Sequence, residues 1–431
     1  MTEKPKRLFP KDFLWGASTA SHQVEGNTHN QWTVWELENA ANLAKTAKKR
    51  LDWVPKWEEI KTQASDPENY ISGRGIEHYS RYKEDFRIAK SLNHNAFRFG
   101  IEWSRVEPEN GAWVASEWQH YRDYIQELLD LGLEPVLNLW HWTMPTWFTD
   151  IGGFEKRKNI KYFERFTAKV CEELQIDKLK IIITLNEPNV YSSFGYATGE
   201  WPPNQKNFWK FLKVYYYLTK AHKSAYRILK KANPKLQIGV ATQLANISAK
   251  RPQNLLDNIA TWWMRYFWNW WFLNRIRNYQ DYVGFNYYFT DYYQFGSYKK
   301  VKNTELFHRA NPNQPKNDLG WYMEPEGIYP LLVRVWAHYK KPIMITENGL
   351  ADKDDVNRRW WLEETIIAME RAISEDVKMV GYLHWSLLDN FEWAYGWWPE
   401  FGLIHVDRKT MKRTVRPSAI YYAEQIKKYS A

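Results

Sequence analysis

Two glutamates in this sequence each follow a short apolar stretch that is typical of a buried strand. Glu347 comes directly after residues 342–346 and precedes an Asn-Gly pair, which commonly forms a turn. Glu187 has the same setting after residues 180–185. Either glutamate alone could simply cap a strand end in solvent. Together, as two carboxylates at two strand ends, they fit the carboxylate pair that carries out glycoside hydrolysis.

The strands that would position these glutamates belong to a set of eight apolar stretches. We predict strands at residues 13–18, 96–103, 135–140, 180–185, 237–242, 282–287, 342–346 and 377–385. Most lack a clean alternation of polar and apolar residues, as expected of strands buried on both faces. Apolar residues at three- and four-residue spacing predict helices at residues 79–92, 116–131, 160–174, 208–231, 326–339, 359–375 and 417–428.

This alternation of strand and helix predicts an α/β fold, the (β/α)8 or TIM barrel. Because right-handed crossovers place the carboxyl ends of all strands on one face, Glu187 and Glu347 should share that face. No linker rich in Pro, Gly or Ser divides the chain, so we predict one domain over residues 1–431. Two segments are irregular: a mostly helical insertion at about 27–75, expected as a lid or wall beside the site, and an aromatic-rich connection at about 243–281.

The composition favours a carbohydrate ligand over a nucleic acid. The chain has 26 Trp, and aromatic rings stack on the apolar faces of sugars. The net charge is +10, but Lys and Arg are spread along helices among Asp and Glu, with no basic arm. The densest basic cluster, residues 45–50, is typical of a solvated helix face. We therefore expect a small-molecule partner and no nucleic acid.

The single cysteine, Cys171, excludes an internal disulfide and a multi-cysteine metal site. The first ten residues are too polar for a secretory signal, and the sequence has no run of 18 apolar residues. These features predict a cytoplasmic protein without a membrane span. They leave the oligomeric state open.

Eight longer motifs connect these elements to a known family. They are FPKDFLWGASTASHQVEG at residues 9–26, then HYSRYKED, FRFGIEWSR, LWHW, TLNEP, VGFNYY, ITENG and WSLLDNFEWAYG. In composition and order they resemble glycoside hydrolase family 1, the β-glucosidase family, over nearly the whole chain. The resemblance implies a retaining β-glycosidase that needs no cofactor and no metal.

The resemblance assigns the two carboxylates different tasks. Glu187, in TLNEP, matches the general acid/base, which needs a raised pKa. Glu347, in ITENG, matches the nucleophile of the glycosyl-enzyme intermediate. In a retaining enzyme the two carboxyl groups are about 5–5.5 Å apart. Arg98 and Tyr288 match the groups that keep the nucleophile ionised.

Further positions match the family's sugar-binding residues. Asn186 matches the donor to the sugar 2-hydroxyl, and Asn286 a supporting residue of the site wall. By residue type alone His141 and Trp385 would more often be structural, but their places at strand ends favour binding. The implied hydroxyl-binding and stacking set is Gln23, His141, Asn186, Trp385, Glu392 and Trp393, with Trp142 and Trp321 as outer walls.

The same motifs narrow the substrate. Family members that act on 6-phosphorylated sugars replace the Glu-Trp of the NFEW motif, whereas Glu392 and Trp393 are present here and a carboxylate would repel a phosphate. Unphosphorylated β-D-glucosides are therefore expected, with β-galactosides or β-fucosides as secondary substrates. The connection at 243–281 is shorter than is usual in the family, and HWTMP replaces HWDLP, which leaves the aglycone side undefined.

Three alternatives stay open. A transglycosidase would use the same two carboxylates with an acceptor sugar in place of water. A carbohydrate-binding pseudo-enzyme would keep the fold without turnover. The aromatic run 262–272 could also line a slot for a flat ligand such as haem, with Tyr266 as axial ligand and Arg265 or Arg275 pairing the propionates; a helix packed on the outer layer is the simpler hypothesis.

Overall fold

Eight parallel strands form a closed barrel in the computed structural model, which describes residues 8–295 and 315–430. The strands are β1 Leu14–Ser18, β2 Ala96–Gly100, β3 Glu134–Asn138, β4 Ile181–Asn186, β5 Gln237–Gln243, β6 Val283–Tyr287, β7 Ile343–Asn348 and β8 Met379–His384. Each strand pairs with its neighbour in the chain, and β1 pairs with β8 to close the ring, with Leu14 opposite Gly381. The eight predicted strands and the barrel fold are confirmed.

Helices cover the outside of the barrel. The principal ones are α1 His78–Ser91, α2 Ala115–Asp130, α3 Ile160–Glu173, α4 Phe208–Ala232, α5 Ile328–Tyr339, α6 Arg358–Ser374 and α7 Pro417–Ser430. Their buried faces and the outer faces of the strands form the main core, in which large rings such as Trp103 and Trp361 are almost wholly buried. Burying one large apolar side chain contributes about 1.5–3 kcal/mol, so this layer dominates the stability of the fold.

The interior of the barrel is filled by a smaller cluster that includes Ile183, Tyr282 and Met344. The ring of Tyr282 needs a position without a side chain beside it. Gly239 supplies that position, since a Cβ there would lie 2.7 Å from the Tyr282 ring. The barrel is therefore a packed core, and open space begins only above the carboxyl ends of its strands.

The insertion after β1 is helical, as predicted. Its helices are Gln31–Lys45, Ala47–Leu51 and Trp57–Ala64, followed by a 3-10 turn at Pro67–Tyr70. The first helix begins at Asn30, whose side chain accepts hydrogen bonds from the Trp32 and Thr33 amides in a capping box. The Trp32 ring lies 4.5 Å from that of Trp393, so the insertion packs as a wall beside the strand ends.

The connection from β5 to β6 contains the aromatic run. It forms a helix Leu255–Arg265, a π-helical turn Tyr266–Trp270 and a helix Trp271–Ile276. Phe272 is fully buried, as expected for a helix on the outer layer, but Trp262 and Trp263 are 57% and 58% exposed. The packing hypothesis thus fits the end of the run and not its beginning.

Several short elements complete the chain. Two-stranded sheets join Asn246–Ala249 to Thr290–Tyr293 and Ile404–Val406 to Arg413–Val415. Short helices lie at Ser21–Val24, Trp103–Val106, Thr146–Asp150 and Pro188–Ser192, with a π-helical turn at Ser193–Thr198. Within the described ranges no helix is both long enough and apolar enough to cross a membrane.

Candidate active site

Glu187 lies just beyond β4, at the point where the chain turns into the helix Pro188–Ser192. Its backbone is left-handed, with φ of 39°, a conformation that costs a non-glycine residue free energy and is typical of functional positions. The Glu187 amide donates to the Ala241 carbonyl at 2.6 Å, which ties this turn to β5. Proline at the next position suits the first turn of a helix because it lacks an amide hydrogen.

Glu347 belongs to β7 itself, since the strand continues through Asn348. The Asn-Gly pair is therefore not a turn, contrary to the prediction. Asn348 accepts hydrogen bonds from Trp361 Nε1 at 2.9 Å and the Tyr382 hydroxyl at 3.0 Å, so it fixes the strand end in the outer core. Gly349 is required for space, because a Cβ there would lie 2.0 Å from the Trp385 carbonyl oxygen.

The Glu347 carboxylate is held by two donors. Arg98 on β2, which is fully buried, donates from Nη1 to Glu347 Oε1. The Tyr288 hydroxyl, just after β6, donates to Glu347 Oε2 at 2.7 Å. Both donors favour the ionised carboxylate, as the family resemblance implied.

A chain of amides joins the two carboxylates. Arg98 Nη2 donates to Asn186 Oδ1 at 2.7 Å, and Asn286 Nδ2 donates to the same oxygen at 3.2 Å and to Glu187 Oε1 at 2.8 Å. Because Arg98 can only donate, Asn186 must present its oxygen to it and its amide nitrogen elsewhere. Asn286, expected as a supporting residue, thus contacts the acid/base candidate directly.

These contacts give the carboxyl groups of Glu187 and Glu347 different pKa values. Burial, and then the charge of Glu347, raise the pKa of Glu187 well above its ordinary value. Burial also raises the pKa of Glu347, but Arg98 and Tyr288 oppose that rise. Glu347 is bonded directly to the Arg98 guanidinium, whereas Glu187 accepts from the neutral Asn286 amide and is affected by Arg98 only as a nearby charge. Glu347 therefore ionises first and Glu187 keeps its proton.

His141 is neutral in this setting. Burial, followed by the charge of Arg98, holds the pKa of His141 well below its ordinary value. Asn186 Nδ2 lies 3.0 Å from His141 Nε2, and Asn138 Nδ2 lies 3.3 Å from His141 Nδ1, so an amide nitrogen faces each nitrogen of the ring. Arg98 therefore determines the orientation of Asn186, and Asn186 in turn contacts the His141 ring.

Gln23 and Glu392, two further residues matched to sugar hydroxyls, lie close to each other. Gln23 Nε2 donates to Asn390 Oδ1 at 3.0 Å and to the Phe391 carbonyl at 2.8 Å, and it lies 3.5 Å from Glu392 Oε2. Among the described residues, the buried Gln23 Oε1 has no hydrogen-bond partner, so it is available to a ligand hydroxyl. Removal from water, and then the charge of Glu347, raise the pKa of Glu392 to about 8.

Three tryptophans form the walls around this polar floor. Trp385 lies nearly parallel to the His141 ring at 5.9 Å, and Trp393 nearly parallel to it at 6.0 Å. Trp142 Nε1 donates to the Asn186 carbonyl at 2.9 Å. Trp142 and Trp393 have φ of 76° and 50°, so strained backbone clusters around this site.

The rest of the cleft is aromatic and more exposed, and we call it the outer cleft. Its lining residues are Val190, Phe194, Trp201, Gln243, Trp268, Phe289, Trp321, Tyr395 and Phe401. Of these, only Trp321 was predicted from the sequence. Gln243, the last residue of β5, could have been found, because a polar residue at a strand end of this fold is a binding candidate. Nothing in the pattern distinguishes Trp268 from its aromatic neighbours.

Tyr266 and Arg265 lie outside this cleft. They border a separate hollow of about 580 Å³ with Trp262, Trp270 and His338. Arg265 Nη2 donates to the Ile247 carbonyl at 2.6 Å, and burial lowers its pKa. Arg275, the other arginine of that hypothesis, lies over the Trp271 ring at 3.6 Å.

Among the described residues, one cluster of side chains has the composition of a metal site, namely Asp389, Glu400 and His405. Arg416 donates to Asp389 at 2.8 Å and to Glu400 at 2.5 Å, so a cation already occupies the place between the carboxylates. The cluster is best described as a buried ion-pair network that fastens the last sheet to the barrel.

Comparison with known proteins covers nearly the full chain. A sequence model described as glycosyl hydrolase family 1 matches residues 5–276 and 273–430. Beta-glucosidase A of Thermotoga maritima is 30% identical, with 98% of both chains covered. A beta-galactosidase of Sulfolobus acidocaldarius is 29% identical over 96% of this chain and 94% of its own.

Solved structures give the same result for the fold. A beta-glycosidase from Pyrococcus horikoshii superposes with a TM-score of 0.82 at 31% identity, covering 98% of each chain. The beta-glucosidase from Thermotoga maritima in complex with glucoimidazole has a TM-score of 0.83 at 28% identity, covering 98% of this chain and 99% of its own.

Proposed function

The chain belongs to glycosyl hydrolase family 1, and from that premise we propose that it is a retaining β-glycosidase acting on unphosphorylated β-D-glucosides. The family resemblance inferred from the motifs is confirmed. β-Galactosides and β-fucosides are the expected secondary substrates.

The observation that carries this proposal is the unequal treatment of two buried carboxylates. Glu347 receives hydrogen bonds from the Arg98 guanidinium and the Tyr288 hydroxyl, whereas Glu187 receives one from the neutral amide of Asn286. One carboxylate is thereby kept as a nucleophile and the other as a proton donor at neutral pH. This division of roles is what double-displacement glycoside hydrolysis requires.

In the first step Glu347 attacks the anomeric carbon and forms an ester bond to it. The bond from that carbon to the glycosidic oxygen breaks, and Glu187 gives its proton to the departing oxygen. In the second step Glu187, now ionised, takes a proton from water as the water oxygen attacks the same carbon. The ester bond breaks, Glu347 leaves as a carboxylate, and the sugar keeps its β configuration.

The amide chain supports the transition state between these steps. Asn186 has one amide hydrogen directed to His141 and a second left for the 2-hydroxyl of the sugar, a contact that strengthens as positive charge develops on the ring. Gln23 Oε1 accepts from a further hydroxyl, and Glu392 accepts from a hydroxyl when ionised or donates to one when protonated. Trp385 provides a flat surface for the sugar's apolar face. The low pKa of His141 keeps its imidazole neutral beside Arg98.

Two variants test the assignment through the configuration of their products. With p-nitrophenyl β-D-glucoside and azide, Glu347→Gly should be inactive alone and rescued with formation of the α-glucosyl azide. Glu187→Ala should instead yield the β-glucosyl azide, because its glycosyl-enzyme still forms and azide replaces water. Exchange of these two products would reverse the roles, and an inert wild type would favour a carbohydrate-binding pseudo-enzyme.

Transglycosylation uses the same intermediate and remains the alternative reaction. It would appear as glucosyl transfer to an added sugar acceptor in competition with water. The aromatic outer cleft, described above, offers few groups that could orient a hydrophilic acceptor, which favours hydrolysis.

The flat-ligand hypothesis is retained as a separate proposal for the hollow beside Tyr266. Trp262 lies nearly parallel to the Tyr266 ring at 6.0 Å, and Arg334 also borders the hollow, so aromatic and cationic groups are both present. Haemin added to the protein should then give a Soret band that Tyr266→Phe shifts. An absorption spectrum identical to that of free haemin would contradict this hypothesis. Catalysis by Glu187 and Glu347 requires no cofactor.

We further propose that the protein acts as one domain with a small glycoside as its partner, and that it resides in the cytoplasm. Cell fractionation with an activity assay would test it.

A further inference from the structure

On the outer layer of the barrel, α3 and α4 border a hollow of about 540 Å³ that shares no lining residue with the catalytic cleft. We call it the basic hollow. Its described lining contains six cationic side chains and a single carboxylate, that of Glu164. The cations are Arg157, Lys158, Lys161, Lys220, Lys223 and Arg227. A hollow of this volume is of the size that holds a small molecule.

The cations of the basic hollow come from two separate segments. Three lie at residues 157–161, in the turn before α3 and in its first turn. The other three, within residues 220–227, are spaced by three and four positions on α4 and so share one face of that helix. Burial, and then the charge of Lys220, lower the pKa of Lys223. Like charges brought together in this way repel one another, and an anion would relieve that repulsion.

Carboxylates do not neutralise these cations. In the described part of the chain, none of the six forms an ion pair with Asp or Glu, and two carboxylates on neighbouring segments are engaged elsewhere. Glu155 pairs with Lys210 at 3.1 Å, and Asp281 pairs with Lys230 at 2.8 Å. The positive charge of the basic hollow is therefore left for a ligand or for ions from the solvent.

The side of the hollow formed by α4 is held in place by Tyr279. Arg227 Nη2 donates to the Tyr279 hydroxyl at 2.8 Å, and Lys223 Nζ lies 5.2 Å from the centre of the same ring. His222 donates from Nε2 to the Tyr279 carbonyl at 2.6 Å, and its Nδ1 lies 2.6 Å from Thr184 Oγ1 on β4. This wall is thus fastened to the barrel, which reduces the entropy lost when a ligand binds.

We propose that the basic hollow binds a small oligophosphate, a molecule with a chain of three or more phosphate groups. A triphosphate carries about four negative charges at neutral pH, whereas an anion of single charge would leave most of the repulsion in place. The lysines act as point charges toward the phosphate oxygens, and the Arg157 guanidinium can donate two parallel hydrogen bonds to one phosphate. Inorganic oligophosphates and nucleoside triphosphates share this chemistry.

Binding of inorganic tripolyphosphate to the whole chain at low salt, measured by isothermal titration calorimetry, tests this inference. The wild type should bind one equivalent. Lys220→Gln combined with Lys223→Gln, on α4, should weaken binding at least about tenfold. Lys158→Gln combined with Lys161→Gln, on the other segment, should do the same. All four side chains are exposed or half-buried, so both variants should keep the circular dichroism spectrum of the wild type, and if one does not fold the other decides.

Lys48→Gln combined with Lys49→Gln is the matched control, because it removes the same charge from two exposed lysines outside the hollow. Its affinity for tripolyphosphate should equal that of the wild type. An equal loss of affinity in this control would overturn the inference, since binding would then reflect only the net charge of +10. Absence of saturable binding to the wild type would overturn it as well.

The same titration with ATP distinguishes the two sources of the phosphate chain. Tighter binding of ATP would assign the hollow to a nucleoside triphosphate, and an affinity no greater than that for tripolyphosphate would assign it to an inorganic oligophosphate. A single-stranded oligonucleotide that binds more tightly than both would overturn the inference in favour of a nucleic-acid surface. Because no turnover is measured, a wild type that hydrolyses no glucoside would overturn the proposed function and leave this inference intact.

Discussion

The two ends of the cleft are built in different ways. At the sugar end, polar side chains from different strands hydrogen-bond to one another, as in the sequence of contacts from Glu347 through Arg98 and Asn186 to His141. At the outer end, rings from connections between strands surround a single engaged amide, Gln243. Groups that must be placed within tenths of an ångström are carried by the barrel, whereas groups that only have to match a ligand's shape are carried by loops.

This comparison predicts that changes at the sugar end affect every substrate, whereas changes at the outer end affect only the choice among substrates. The strongest test after the nucleophile itself is Glu187→Gln. Without a proton donor, kcat/KM for a poor leaving group such as the glucose of cellobiose should fall by about 10³-fold or more. The loss should be much smaller for p-nitrophenol, which departs without a proton.

The same variant gives a pH signature. The proposed mechanism requires Glu347 ionised and Glu187 protonated, so the rate should fall at high pH as Glu187 loses its proton. Because the pKa of Glu187 is raised well above its ordinary value, that fall lies at a higher pH than the titration of an ordinary glutamate. Glutamine cannot ionise, so the alkaline limb should disappear from the kcat/KM profile. An unaltered alkaline limb would assign it to another group.

Tyr288→Phe should have a smaller effect with the opposite pH signature. Removing a hydroxyl that donates to the ionised Glu347 raises the pKa of that carboxyl. The acid limb of the kcat/KM profile should therefore move to higher pH, and the plateau rate should fall about 10- to 100-fold, the worth of one hydrogen bond to a charged group. A fall in rate with a stationary acid limb would point to loss of packing, because Tyr288 also contacts Trp321.

Gln243→Leu should produce the smallest change, and it alters the outer end of the cleft alone. Leucine keeps the volume but removes the acceptor for Trp268 Nε1. The value of kcat/KM for p-nitrophenyl β-D-glucoside, divided by that for cellobiose, should fall about two- to fivefold through a change in KM. The affinity for glucoimidazole should stay constant. An equal fall in kcat for both substrates would instead mean that Gln243 acts on Glu187, through Asn189 and the end of β5.

The sequence was sufficient to predict the positions of side chains that lie on a recognisable strand or directly after one. Arg98, Glu187 and Glu347 lie on strands or directly after them, and a buried strand is recognisable from a short apolar run. Strand ends were harder to predict: Asn348 belongs to β7 because its side chain bonds to Trp361 and Tyr382, partners that are distant in sequence.

The outer cleft was not predictable in the same way. Trp268 differs from Trp262 and Trp263 by facing the cleft while they are exposed, yet all three lie in one aromatic stretch. The π-helical turn that separates them adds one residue to a helical turn and changes which side chains point inward. No periodicity in the sequence marks that turn, so only the tertiary structure assigns these rings.

The hydrogen bond from Gln23 to Asn390 has a consequence for how the protein is made. It joins residues 367 positions apart, and both contribute to the floor of the sugar site. A chain emerging from the ribosome can form the early strand-helix units and bury much of their surface. It cannot complete that floor, or pair β1 with β8, until the last strand has been synthesised. Ability to bind sugar therefore arises in one late event during biosynthesis, and a nascent chain lacking the segment after β8 would carry both glutamates without a site.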